Sequence, residues 1–229
     1  MTRKISKRYK KLLDISKKKT SISIDEAIKI VKTNCSAKFD ESIDISFKLN
    51  LKQKKEDFNL RTIVNLPNGN GKKVKVAVLC EDAKNKEAKD SGADIFGSDT
   101  LINEINSGKI NFDKMISTPA MMSKMGKLGK ILGPKGLMPN PKLGTVTNNI
   151  KDTVKAIKSG QIEIKNDKDG NLGASIAKKS FLDEKIKENF NSFLETINKE
   201  KPSGLKGNFI MSTFLTSTMG VSYKIKLKA

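Results

Sequence analysis

The stretch "NLPNGNGKKVKVAVLC", Asn65–Cys80, decides how the rest of the chain is read. Its first half crowds Pro67, Gly69 and Gly71 into five residues, which signals a turn or hinge. Its second half, Val74–Cys80, is a short and mostly apolar run, as in a strand buried on both faces. The two sides of this junction have different textures. Upstream, Ile24, Ala27, Ile28 and Val31 recur at helical spacing, and "ESIDISFKLNL" alternates Ile43, Ile45, Phe47, Leu49 and Leu51 with polar residues, predicting a half-buried strand. "RTIVNL", Arg61–Leu66, predicts a second strand. Downstream, strands alternate with helices. A polar helix ends near "SGADIFG", a helix covers "TLINEINSGK", and "FDKMIST" is a strand. A helix over "NNIKDTVKAIKSG" places Ile150, Val154 and Ile157 on one face and ends at Gly160.

The last third returns to the first texture. "QIEIKND" and "NLGASIA" read as strands around the "DKDGN" turn, and "DEKIKENFNSFLETINK" is an amphipathic helix carrying Ile186, Phe190, Phe193, Leu194 and Ile197. "FIMSTFLTST" and "VSYKIKL" close the chain as strands separated by Met219 and Gly220. The simplest architecture is an α+β first domain made discontinuous by an inserted α/β domain. Residues 1–67 plus 161–229 form the first domain and residues 68–160 the second, and the two crossings form a double hinge.

Composition sets the function classes. In 229 residues there are 45 Lys and Arg against 25 Asp and Glu, a net charge of +20, which points to a polyanionic partner and first to nucleic acid. Abundant Asn and Ile fit AT-rich codon usage, which supplies part of the lysine with no partner involved. With no histidine, a His-containing zinc site, a histidine general base and every Ser-His or Cys-His triad are excluded. Cys35 and Cys80, far apart in apolar contexts, read as reduced core thiols of a cytosolic protein. The first twenty residues lack the apolar core of a signal peptide, and no apolar run is long enough to span a bilayer.

One segment concentrates the charge. No acid occurs between Asp113 and Asp152, and "GKLGKILGPKGLMPNPKLGTVT", Gly126–Thr147, is dense in Gly, Pro and Lys. It fits neither phosphate-binding fingerprint: Gly129-Lys130 is followed by Ile131 rather than Ser or Thr, and Gly69-Asn70-Gly71 precedes a strand rather than a helix. What remains is a rigid exposed loop, with glycines for close backbone approach and lysines for phosphates. An ordinary linker is the alternative, although Leu128, Ile131, Leu132 and Leu137 suit a loop that packs.

These residues resemble the bacterial-type ribosomal protein L-one family. The likeness runs through "KRYKKLL", "AKFDESIDI", "LPNGNGK", "SGADIFG", "KLGKILGPKGLMPNPKLGTVT" and "STMG", which together span essentially the whole chain. The resemblance implies a discontinuous first domain with an inserted Rossmann-like second domain. It implies a large-subunit ribosomal protein that binds ribosomal RNA at the mobile stalk near the tRNA exit site, aids release of deacylated tRNA, and represses its own operon messenger RNA. It further implies a cytoplasmic, ribosome-bound protein, monomeric when free, with no enzymatic activity, cofactor or metal.

By the same resemblance the first domain holds RNA through Thr218, Met219 and Gly220, with Lys38, Phe39 and Ser42 contributing to the same surface. Thr218 suits a ribose hydroxyl, Met219 a soft apolar contact and Gly220 close backbone approach. Ser212 and Thr216 lie at even spacing from Thr218, so a continuous strand would put all three on one face. A lone Phe before a polar turn also fits a core, so Phe39 stays open between the two places. Glu26 and Asp167 match acidic members of the family's site and carry less weight. Gly129, Lys130, Gly133, Lys135 and Lys142 are the candidates for a second, lighter contact by the inserted domain. An RNA-processing enzyme lacks a recognisable catalytic set. A general nucleic-acid coat fits the charge but has only two tyrosines and no tryptophan for stacking. A membrane-surface helix would need a broader apolar face than the lysine-rich N-terminus offers.

Overall fold

The computed structural model describes residues 5–17, 21–50, 60–202 and 207–227. In chain order these carry α1 (Lys7–Lys17), α2 (Ile24–Asn34), β1 (Ser42–Leu49), β2 (Arg61–Asn65), β3 (Val76–Leu79), α3 (Asn85–Asp90), β4 (Ile95–Gly97), α4 (Asp99–Asn106) and β5 (Lys114–Ser117). There follow α5 (Met122–Met125), α6 (Gly129–Leu132), α7 (Ile150–Ser159), β6 (Gln161–Lys165), β7 (Asn171–Lys178), α8 (Asp183–Lys199), β8 (Ile210–Ser217) and β9 (Tyr223–Ile225). The fold is mixed α/β on several sheets. The chain divides into two compact units, Met1–Gly71 with Glu163–Ala229, and Lys72–Ile162.

In the first unit four strands form a sheet in the order β7-β1-β8-β9, all antiparallel. The period of two in β1 sends Ile43, Ile45, Phe47 and Leu49 inward and leaves Ser42, Asp44, Ser46 and Lys48 on the other face. Helices α2 and α8 cover the inner face. Ser23 caps α2 by accepting the Glu26 N–H, and Ala27, Ile28 and Val31 form its buried stripe. From α8 come Ile186, Phe190, Phe193 and Ile197, with the Phe193 ring stacked on Phe47 at 5.5 Å between centroids. Each such side chain buried is worth about 1.5–3 kcal/mol. Leu194 of the expected stripe is only partly buried, while Asn189 is fully enclosed. The Asn189 amide accepts the Asn68 N–H at 3.1 Å and donates to the Gly69 and Ile176 carbonyls at 2.8 Å each, fixing the turn after β2 onto α8.

The strands on either side of "DKDGN" are present but are not partners. β6 pairs with β2 in a separate two-stranded sheet, and β7 pairs with β1.

In the second unit the order is β4-β3-β5, all parallel, and every residue of β3 is buried. Val76 and Val78 face Ala88, Ile150, Val154 and Ile157 of α3 and α7, while Ala77 and Leu79 face the other side. The sheet is therefore packed on both faces, and α7 ends at Gly160 with φ 114°. Two expectations are corrected here. "IFG", read only as the tail of a helix, is the strand β4, three residues long and too short to show a period. The glycine- and lysine-rich segment is not an open loop at its start. Short helical turns run from Pro119 through α5 and α6, and Met121, Met125, Leu128 and Leu132 pack from them beneath Leu101 and Ile105. Spacings of four, three and four residues bury one stripe of helix, and that burial outweighs the cost of Gly126 and Gly129.

Cys35 and Cys80 are both free and buried, and burial pushes each thiol's pKa up, away from the reactive thiolate.

Candidate nucleic-acid interface

The outer face of β1 organises the first unit's candidates. Register places Asp44 beside Thr216 and Lys48 beside Ser212, so Ser212 and Thr216 do share the solvent face. The strand stops at Ser217, however, and Thr218 belongs to the turn beyond it. There Thr218 closes on the start of β1. The Ser42 N–H donates to Thr218 Oγ1 at 2.9 Å, and the Thr218 N–H donates to the Ser42 carbonyl at 3.1 Å. The Ser42 hydroxyl in turn accepts from Lys178 Nζ at 2.8 Å.

Phe39 is 53 % exposed and Met219 46 %, which settles the choice for Phe39: it is not core. Lys38 is also exposed. The acids between them are used internally. Asp40 accepts the Ser180 N–H at 3.1 Å and the Ser180 hydroxyl at 2.8 Å, and Glu41 is wholly buried. Asp40 itself stays exposed beside Lys38, so of the two acids only Glu41 is withdrawn from solvent.

Glu41 was not singled out in the sequence. Its Oε1 accepts the Ala37 N–H at 3.0 Å and its Oε2 the Met219 N–H at 3.1 Å. Burial pushes this carboxyl's pKa up, but the Ala37 N–H, the Ser217 hydroxyl and the Met219 N–H outweigh it and hold the group below the ordinary value. Arg8 of α1 was also missed. Its Nη1 donates to Ser36 Oγ at 3.1 Å and its Nη2 to the Met219 carbonyl at 3.0 Å. For Glu41 there was a signal: it lies at the same odd parity as Ile43, Ile45 and Phe47, the inward one. Arg8 had none beyond being one of only three arginines.

Gly220 gains a different explanation from the one expected. A Cβ there would fall 2.5 Å from Ser217 Oγ, so the missing side chain makes room for the hydroxyl that serves Glu41. The remaining acids lie apart. Asp167 accepts from the Asn171 side chain at 2.9 Å and its N–H at 2.6 Å, bonds that hold its carboxyl pKa down. Because Asn171 pairs with Lys48, Asp167 marks the far end of β1, six strand residues or roughly 20 Å from Ser42. Glu26 is exposed in the first turn of α2, close to the Ile22–Ile225 bridge, away from the Ser42–Thr218 pair.

In the second unit Lys130, Lys135 and Lys142 are exposed, and no hydrogen bond or ion pair engages their ammonium groups among the described residues. Gly129 opens α6 and Gly133 caps it. A Cβ on Gly133 would meet the Gly129 carbonyl at 2.5 Å, so this glycine serves its own helix end.

Comparison with known proteins identifies the family. The sequence profile of the Ribosomal protein L1p/L10e family matches residues 31–221. The chain belongs to this family. It is similar to a protein named large ribosomal subunit protein uL1 from Pelagibacter ubique, 60% identical over 223 residues, 97% of each chain. A protein of the same name from Kosmotoga olearia is 51% identical over 225 residues, 97% of this chain and 96% of the relative. One from Rickettsia akari is 48% identical over 208 residues, 91% and 87%. The family is one of structural ribosomal proteins rather than enzymes. Among the described residues no helix is long and apolar enough to cross a membrane.

Proposed function

We propose that this chain is a structural component of the large ribosomal subunit that binds ribosomal RNA at the mobile stalk near the tRNA exit site. The observation that carries the reading is the edge where Ser42, Thr218 and Met219 are locked by hydrogen bonds while Lys38, Phe39 and Met219 stay exposed. A fixed set of backbone groups, a hydroxyl, an aromatic ring and cations suits a folded RNA, whose 2′-hydroxyls and unpaired bases need shape as well as charge.

The first unit is the RNA-binding domain, with Lys38, Phe39, Ser42, Ser212, Thr216, Thr218, Met219 and Gly220 along one strip. Asp167 and Glu26 lie at its margins. The second unit is a small Rossmann-like insert whose Lys130, in the turn between Gly129 and Gly133, and Lys135 and Lys142 beyond it add phosphate contacts without reading sequence. Placed beside the exit site, the protein aids release of deacylated tRNA, and in the cytoplasm it represses its own operon through a messenger element of similar shape. The large-subunit names of relatives up to 60% identical support the place in the large subunit.

The test is a titration against stalk ribosomal RNA and an unstructured RNA of equal length at two salt concentrations. The expected result is a preference of about 10³ or more that survives added salt. Equal binding that collapses with salt overturns the reading in favour of a general polycation.

A further inference from the structure

We propose that Glu41, aided by Arg8, is a positioning device that presets the loop before β1 and the turn after β8 as one RNA-receiving edge, without itself touching RNA. This rests on the RNA-binding reading above and deepens it.

Glu41 has no solvent exposure, so a bound RNA cannot reach it without unfolding the edge. An ionised carboxylate is acceptor-only at both oxygens, and here the two oxygens serve N–H groups on different segments, Ala37 and Met219. Ala37 adjoins Lys38 and Phe39, and Met219 sits between Thr218 and Gly220, so one side chain joins the two groups of RNA candidates. Arg8 completes the grip from outside. The Met219 peptide groups are held on both sides, the N–H by Glu41 and the carbonyl by one arm of the Arg8 fork, while the other arm holds Ser36. The planar guanidinium suits two acceptors on separate segments, which a lysine ammonium matches poorly. Ordering the two segments at folding removes an entropy cost that RNA binding would otherwise bear. Specificity then depends on two residues that bond to the protein's own loops, Glu41 from within and Arg8 from the surface.

The test uses the full chain as wild type, E41Q, R8A and R8K, each well below its melting temperature, against a folded stalk ribosomal RNA fragment and an unstructured RNA of equal length. E41Q presents an amide NH2 to one of the two N–H groups, so one bond is lost and the loops separate. Affinity of E41Q and R8A for the folded RNA is expected to fall about tenfold, one hydrogen bond's worth. R8K falls between R8A and wild type. Affinity for the unstructured RNA and its salt slope stay at wild-type values, because the phosphate contacts are unchanged.

Wild-type affinity for the folded RNA in E41Q and R8A overturns the proposal, as does an equal loss toward both RNAs. A drop of about one in the salt slope of R8A makes Arg8 a phosphate contact and removes it from the device. If E41Q does not fold, R8A decides alone, since Arg8 lies on the surface. A wild-type chain with no preference for the folded RNA overturns the function reading and this inference with it; that failure appears before any variant is made.

Discussion

Two regions of the chain offer positive charge to a partner, and they are built in opposite ways. At the Ser42–Thr218 edge the nearby polar groups are spoken for: Ser42 and Thr218 bond to each other, Lys178 to Ser42, Asp40 to Ser180, and Glu41 to two loops. In the second unit Lys130, Lys135 and Lys142 reach into solvent from short turns with their ammonium groups unengaged among the described residues. Charge alone attracts any phosphate backbone, and fixed geometry selects one shape. Counting lysines cannot separate the two regions. Their hydrogen bonds do.

The contrast can be broken most sharply at Gly220. G220A drives a methyl against the Ser217 hydroxyl and away from Glu41, leaving buried groups short of a partner at a cost of about 1–3 kcal/mol. Thermal unfolding and titration with folded RNA should both report it, and an unmoved melting temperature with wild-type affinity would show that the crowding relaxes freely. T218V comes next. It deletes the acceptor of the Ser42 N–H, and specific binding is expected to weaken by ~1–2 kcal/mol with circular dichroism unchanged. Unaltered affinity would remove Thr218 from the surface.

Replacing Lys130, Lys135 and Lys142 together by Gln should leave the preference for folded RNA intact while lowering the salt slope by roughly 2–3. A lost preference with an unchanged slope would reverse the roles assigned to the two regions. The smallest effect is on acid stability. Glu41 in one unit, despite its burial, and Asp94 in the other, held by the Val76 N–H and Lys158, both sit below the ordinary values of 4.5 and 3.8. The unfolded chain therefore binds more protons at acid pH. Each contribution is complete above the ordinary value and lost as pH falls through the folded one. Urea midpoints at pH 7 and about pH 3 should fall for wild type, and E41Q and D94N should each flatten that fall. Cys35 also faces Glu41, and Lys179 Nζ donates to the Cys35 carbonyl at 2.8 Å.

Long periodic elements were legible in the sequence. The alternation of β1 and the stripes of α2, α7 and α8 followed from where Ile, Val and Phe fall, because burial sets both the pattern and the element. Illegible parts were those where two signals compete. Between Pro119 and Leu132 glycine and lysine suggest a loop, while four apolar residues spaced along one helical face decide otherwise. β4 is too short to show a period. In the candidate site the exposed residues could be named from resemblance, yet the groups that hold them could not. A buried acid depends on N–H groups from Ala37 and Met219, and Met219 lies 178 residues away along the chain. Thr218 illustrates the same limit: even spacing placed it on the strand face, and only the end of β8 at Ser217 turned it toward Ser42.

The strand order β7-β1-β8-β9 also has a timetable. On a translating ribosome β1 emerges early, but both its neighbours are encoded after residue 170, so for much of synthesis it has no strand to pair with. The parallel sheet of Lys72–Ile162 draws on consecutive sequence and can close first. The Ser42–Thr218 contact joins some of the first residues made to some of the last. A chain cut short just before Thr218 keeps nearly all of the lysine and arginine but cannot form this contact, so such a truncated product would hold RNA without choosing it.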